Sequence, residues 1–186
     1  MRCPHPDWVF NRLLVAGPAA DLDAFRAAAA GAGVAPWALD YDRLEEDLFL
    51  LMMAPARRAV SAAGARIVAR ETRDWVWEDH QAALSAVGVS RACPFDLHAL
   101  APVPWEVLRL GQDHPRAVEW MWAHWGTTWH LRRVEAPPPP RRALDALAPG
   151  EGAALIRFVS ADWPPWPVLL RCRGRWPSLR FELRAE

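Results

Sequence analysis

The chain has 186 residues, about half of them apolar, with 22 arginines against 22 carboxylates and no lysine. That length fits one domain, or one domain with a large insertion, and can bury ~70% of its unfolded surface without disulfide or metal staples. The apolar content excludes a disordered chain, and zero net charge leaves no global field to draw it to nucleic acid.

Trp8 to Ala16 (WVFNRLLVA) reads as a strand, ended by Gly17-Pro18. Both of its faces are mostly apolar, which predicts a central strand covered on both sides. Ala19 to Ala30 is a helix, with Leu22, Phe25 and Ala29 at helical spacing and Asp21 and Asp23 in its first turn. Residues 35–92 read as mostly helical. Asp42 and Glu45 stand at the spacing of a capping box, and Leu44, Leu48, Leu51 and Met52 make one stripe that Pro55 stops. A second helix runs from about Ala65 to Ala86, with Glu71, Asp74, Glu78, Asp79 and His80 on its solvated side. That pair is expected to bury its leucine stripe on the sheet or its edge.

Cys93 to Leu110 is punctuated by prolines and reads as an irregular segment that packs. His114 to His130 holds Trp120, Trp122, Trp125 and Trp129. A short helix enters a strand here, through a corner at Gly126, and the strand continues from Thr128 to Glu135. Trp125 and Trp129 are expected in the core. The four prolines 137–140 make a stiff spacer in a hairpin connection, followed by a short helix from Arg141 to Ala148 and a turn at Pro149-Gly150. Ala153 to Ala161 is a strand, Trp166 to Arg175 a helix, and Ser178 to Ala185 a last strand that alternates apolar and charged.

Without residues 35–124 the order is β-α-β-β-α-β. Right-handed crossovers then give one antiparallel sheet of strand order 4-1-3-2, an α+β ferredoxin-like fold over residues 1–186 with a helical insertion at about 35–92. The term names topology only, because no iron–sulfur cysteine spacing is present. Four blocks carry a resemblance. They are PDWVFNRLLVAGP, CPFDLHALAPVP, Glu119-Trp120 followed by HWGTTW (residues 124–129), and FVSADWPP. In this order they resemble the YubB ferredoxin-like family of bacteria, their plasmids and phages. Val9 stands where that family has cysteine, Thr128 where it has lysine, and Trp163 comes one place late. The resemblance implies the ferredoxin-like fold and a bacterial, mobile-element setting. It implies no activity.

The topology brings Asp7-Trp8, Trp125 to Trp129 and Ser160 to Trp163 to one end of the sheet. The candidate ligand-binding residues are therefore Asp7, Trp8, Asn11, His124, Trp125, Thr127, His130, Asp162 and Trp163. Three readings compete for this end: a tryptophan-capped core with satisfied polar groups, a ligand pocket, or a catalytic or metal centre. A metal would draw on His5, Asp7, His124 and Asp162 with Cys3 nearby, but no spacing requires one. No dinucleotide fingerprint, Walker lysine or catalytic motif is present, so no cofactor and no catalytic residue is assigned.

The expected function is a non-enzymatic binding module for a protein or a small ligand. An unrecognised hydrolase or metal enzyme is the alternative. Nucleic-acid binding on the sheet face, through Phe10, Arg157, Arg180 and Arg184, is a third reading, disfavoured by the neutral charge and the missing RNP signature. Cys3, Cys93 and Cys172 form no C-x-x-C pair and are odd in number, which points to a reducing compartment. The N-terminus lacks the apolar run of a signal peptide, and no stretch reaches the ~20 apolar residues of a membrane helix. A cytoplasmic protein with no membrane partner is expected.

Overall fold

A computed structural model describes residues 7–54 and 60–185. Four strands, β1 (Trp8–Pro18), β2 (Arg132–Glu135), β3 (Glu151–Ala161) and β4 (Arg180–Ala185), form one antiparallel sheet in the order β2-β3-β1-β4. This is the α+β architecture and the strand order that the sequence predicts, with β1 and β3 paired over their whole lengths at the centre. Among the described residues no helix is long and apolar enough to cross a membrane.

The core lies on one face of the sheet. Leu13 and Val15 of β1 and Ile156 and Phe158 of β3 point to it. They meet Leu22 and Phe25 of α1 (Ala19–Ala29), Val168, Leu169 and Cys172 of α8 (Trp166–Arg175), and Phe95 and Trp125 from the long connection. Phe25 is the hub, edge-on to Trp176 and Phe181 and tilted on Phe95. Each of these large side chains contributes about 1.5–3 kcal/mol by burial. The segment Cys93 to Leu110 packs as expected, through Phe95, Leu97, Ala101, Val103 and Leu108. It also makes two single turns, α4 (Leu97–Leu100) and α5 (Trp105–Leu108). Asp96 starts α4 by accepting from the amides of His98 and Ala99, while its other oxygen holds Gly33 N at 2.9 Å.

Three expectations are corrected. β1 is central but not covered on both sides: opposite the core, Phe10 is 52% exposed and Arg12 and Leu14 are half-buried. The insertion does not supply that cover. Its helices α2 (Tyr41–Met53) and α3 (Ala62–Ala86) span well over half of residues 35–92, yet they pack chiefly on each other. No residue of α2 is fully buried, Leu44, Leu48 and Met52 are half-buried, and Leu51 is 69% exposed. The hairpin is held by Arg66, Arg70 and Arg73 of α3 converging on Glu45, and by Tyr41 Oη at 2.5 Å from His80 Nδ1. The N-cap of α2 is Asp40, whose carboxylate accepts from Arg43 N, two residues before the predicted capping box. Pro55 lies outside the described residues.

The third correction concerns the corner. α6 (Pro115–His124) is capped by His114, but the strand begins at Arg132 rather than Thr128. Residues 126–131 stand outside the ladder: the Thr127 hydroxyl, rather than a strand backbone, meets the Ala161 N–H and C=O, and Thr128 bonds Asp162. β2 is itself irregular, with a register shift between Arg132 and Glu135 and Arg133 at φ 49°. From β2 the chain passes through the prolines into α7 (Arg141–Asp145), shorter than the predicted 141–148. Other ends move by one to three residues: β1 runs on through Gly17-Pro18, β3 starts at Glu151, and β4 starts at Arg180.

Candidate functional site

Much of the predicted tryptophan-rich end does assemble. Asp162 N donates to Asp7 O at 2.6 Å, and Asp7 N donates back to Asp162 Oδ1 at 3.1 Å. Thr128 Oγ1 donates to Asp162 Oδ2 at 3.4 Å. Thr127 Oγ1 donates to Ala161 O at 2.8 Å and accepts from Ala161 N at 3.1 Å, fully buried. Asp162 holds φ 65°, a backbone state that its side-chain bonds help to hold. These groups spend their hydrogen bonds joining the 126–131 loop, β1 and β3 to one another.

The remaining candidates separate. Trp125 is 1% exposed, and its indole donates to Ala101 O at 2.9 Å, so it belongs to the core. Trp129 is only half-buried, edge-on to Trp8. His124 stacks on Trp120, with Nδ1 3.0 Å from Trp120 O. Trp163 is 62% exposed. Asn11 faces the core side, donating to Val9 O and Ser160 Oγ, and its Oδ1 is a buried acceptor without a partner. His130 borders a cavity of about 10 Å³ that Cys93, Asp96, His98 and Trp125 also line, room for about one water. Burial lowers the pKa of His130, with Arg132 adding to it, and burial likewise raises the Cys93 thiol. Both groups are thereby kept uncharged. Among the described residues no group of three or more His, Cys, Asp or Glu is placed to hold a metal ion; His5 and Cys3 lie outside them.

No family model, no curated protein and no solved structure matches the chain. What the chain binds must therefore be read from its own surfaces.

One of these is the face of the sheet opposite the core, where Phe10, Arg157 and Arg184 are exposed and the residues toward Leu14 and Ala16 lie under α7. Directly paired residues of antiparallel strands share a face, with Cβ atoms ~4.5–5.5 Å apart. Arg12 pairs with Arg157 of β3 on one side and with Arg184 of β4 on the other. Three arginines thus stand abreast across β4, β1 and β3. Arg184 is bonded to Glu182 of its own strand, whereas Arg12 and Arg157 make no ion pair among the described residues. Glu135 stands opposite Arg157 without bonding it.

One row away, Phe10 pairs with Val159 and is half exposed. One row further, Trp8 carries the Arg132 guanidinium 3.9 Å above its ring, with the Trp129 ring 5.6 Å from the same group. The predicted tryptophan end and the sheet face are therefore one continuous surface.

In the other direction from the arginine row, α7 and the residues after it stand over Leu14 and Ala16 and enclose a groove of about 760 Å³. Its walls are apolar (Leu14, Ala16, Pro140, Ala143, Ala146, Leu147), and Arg12, Arg142, Arg180 and Arg184 enter it with Glu151 and Glu182. Arg180 grips Glu151 through two bonds of 2.8 and 2.9 Å. That grip, with Ala148 N, pulls the Glu151 carboxyl down to about 2. Arg180 is thus neutralised, while Arg12 and Arg142 make no ion pair among the described residues. Sequence reading placed Phe10, Arg157, Arg180 and Arg184 on this face and missed Arg12, Arg132 and Arg142. The available signal was Arg12 itself, a lone cation in an otherwise apolar central strand.

Proposed function

We propose that the chain is a non-enzymatic binding module of ferredoxin-like fold, one domain over residues 1–186, whose ligand is an anion held on the open face of the sheet. The strand order and the four ordered sequence blocks support membership in the YubB ferredoxin-like family and a bacterial, plasmid or phage setting. Free Cys93 and Cys172 support a reducing, cytoplasmic location. One observation carries the functional reading: Arg184, Arg12 and Arg157 stand side by side on adjacent strands. Like charges directly opposite on a sheet destabilise it, by roughly 0.2–1 kcal/mol per pair. A row that costs stability and serves no internal ion pair at two of its three members is accounted for by a ligand that neutralises it. The groove beside it falls within the ~300–1,000 Å³ of small-ligand sites and combines apolar walls with a few polar groups, as such sites do. At the tryptophan end Thr127, Thr128 and Asp162 spend their hydrogen bonds tying the fold together, which supports a structural role for these three over a catalytic one.

The test is Arg12→Gln, read by thermal melting with and without sodium tripolyphosphate. The free variant should melt at or slightly above the parent temperature, because repulsion is relieved. The parent should gain stability from tripolyphosphate and the variant should gain much less. Equal gains in both, or a marked loss of stability in the free variant, would show that Arg12 is structural and sink the proposal.

A further inference from the structure

We propose that the anion held on the open face is the backbone of a single-stranded nucleic acid, whose bases stack on Phe10 and on the Trp8 side of the face. This rests on the reading of the face as an anion-binding surface and adds the class of ligand. Three observations lead to it.

Aromatic rings and cations adjoin along β1. Trp8, Phe10 and Arg12 are successive residues on one face of one strand, so a ring, a ring and a guanidinium follow at ~6.6 Å steps, with Phe10 half exposed and Trp8 half-buried under Arg132. Phosphate-seeking cations beside an accessible ring suit a sequence-tolerant single strand, because every base has a stacking face. A free phosphate would use only the arginines and leave the half-exposed Phe10 ring unexplained.

The geometry also suits an extended strand. The part of the face free of α7, from Trp8 to Arg12, is ~14 Å long. That is room for a few nucleotides, at the short end of single-strand-binding sites. A duplex presents no base faces to stack. Arg132 is already parked over Trp8, a position from which a planar guanidinium can pass to a base or a phosphate.

Finally, the neutral total charge is unevenly spread. The stretch 40–86 holds nine of the 22 carboxylates but only six of the 22 arginines. The rest of the chain carries the complementary excess, 16 arginines to 13 carboxylates, and on this face and its groove Arg12, Arg132, Arg142, Arg157, Arg180 and Arg184 stand against Glu135, Glu151 and Glu182. Charge complementarity on this one face therefore favours a polyanion even though the chain as a whole is neutral.

The experiment is fluorescence anisotropy of a labelled twelve-nucleotide oligo(dT) at low salt. Tripolyphosphate, a duplex of the same length and a ten-residue polyglutamate peptide serve as competitors. Oligo(dT) should bind at least ten-fold more tightly than any competitor. Phe10→Ala, and Phe10→Leu as a version that keeps apolar bulk without a ring, should weaken oligo(dT) by about five- to a hundred-fold, the range of one lost base–aromatic stack. Neither should change tripolyphosphate binding. Combining Arg12→Gln with Arg157→Gln should weaken binding of both ligands and lower the salt slope of the remaining oligo(dT) binding by roughly 1.4. If tripolyphosphate binds but oligo(dT) binds no better, or Phe10→Leu binds oligo(dT) like the parent, the nucleic-acid proposal is overturned and the anion-binding face stands. Polyglutamate binding as tightly as oligo(dT) would make the occupant an acidic protein segment and overturn it equally. If neither oligo(dT) nor tripolyphosphate binds, the anion-binding reading itself falls.

Discussion

Gly126 is the tightest test of the corner, because two separate penalties meet there and one of them has an internal control. The residue holds φ 82°, and a Cβ built on it would fall well inside van der Waals contact of Pro167 Cδ, with Pro167 Cγ at 3.2 Å and Trp166 N at 3.3 Å. For an L-residue the left-handed conformation costs about 1–2 kcal/mol. Overpacking against a proline ring at the start of a helix adds about 1–3 kcal/mol, since neither the ring nor the backbone nitrogen behind it can swing away. Gly126→Ala should therefore lose about 2–5 kcal/mol, and Gly126→Val more. Gly150 has almost the same dihedral, φ 85°, but nothing lies within 4 Å of its built Cβ. Gly150→Ala should pay the backbone part alone, about 1–2 kcal/mol. Urea unfolding followed by tryptophan fluorescence measures both. Equal losses in the two variants would mean that Pro167 yields freely and that the corner is not closed by packing.

Two further outcomes concern the two ends of β3. Thr127→Val keeps the shape but leaves the Ala161 amide without its partner in a buried site, while the Ala161 carbonyl keeps Trp163 N at 2.8 Å, so the loss should be about 1–3 kcal/mol; a loss under about 0.5 kcal/mol would show that water replaces the hydroxyl. The Glu151 carboxyl is depressed from 4.5 to about 2 in the fold, first by its bonds from Arg180. A depressed acid stabilises above its unfolded pKa, and that contribution fades as pH falls from about 4.5 through about 2. The melting temperature of Glu151→Gln should accordingly fall less steeply than the parent's over this window, and parallel curves would refute the pairing.

The sheet was legible from the chain because its strands announce themselves in short-range terms. The apolar run from Trp8, the alternation from Leu179 to Arg184 and the Gly and Pro residues between elements are all local signals. Their order then limited the topology to very few choices. The α2–α3 hairpin was half legible. Helical spacing gave both helices, but where they dock depends on what surface is left to receive them. Leu51 and the exposed Ile67, Trp75 and Trp77 show that spacing alone does not bury a side chain. The corner was legible in its glycine and in Trp125. The strand start was not, because Thr127 and Thr128 have high strand propensity and are diverted by hydroxyl bonds to partners 34 residues away in sequence.

The candidate site shows the same divide more sharply. Net charge argued against a polyanionic ligand, and as a sum it was correct. A sum over the chain, however, says nothing about which charges share a face. Sequence reading put Phe10, Arg157, Arg180 and Arg184 on the sheet face but left Arg12 out. Only the register of β1 against β3 and β4 places Arg157 and Arg184 beside Arg12. A shift of one residue in either pairing would have turned the row onto the opposite face and dispersed it. The site is therefore a property of register, and register is set by the hydrophobic faces of the strands rather than by the arginines. The same apolar pattern that buries Leu13, Val15, Ile156 and Phe158 forces Arg12, Arg157 and Arg184 to stand together, and a bound anion, as proposed above, would relieve their repulsion.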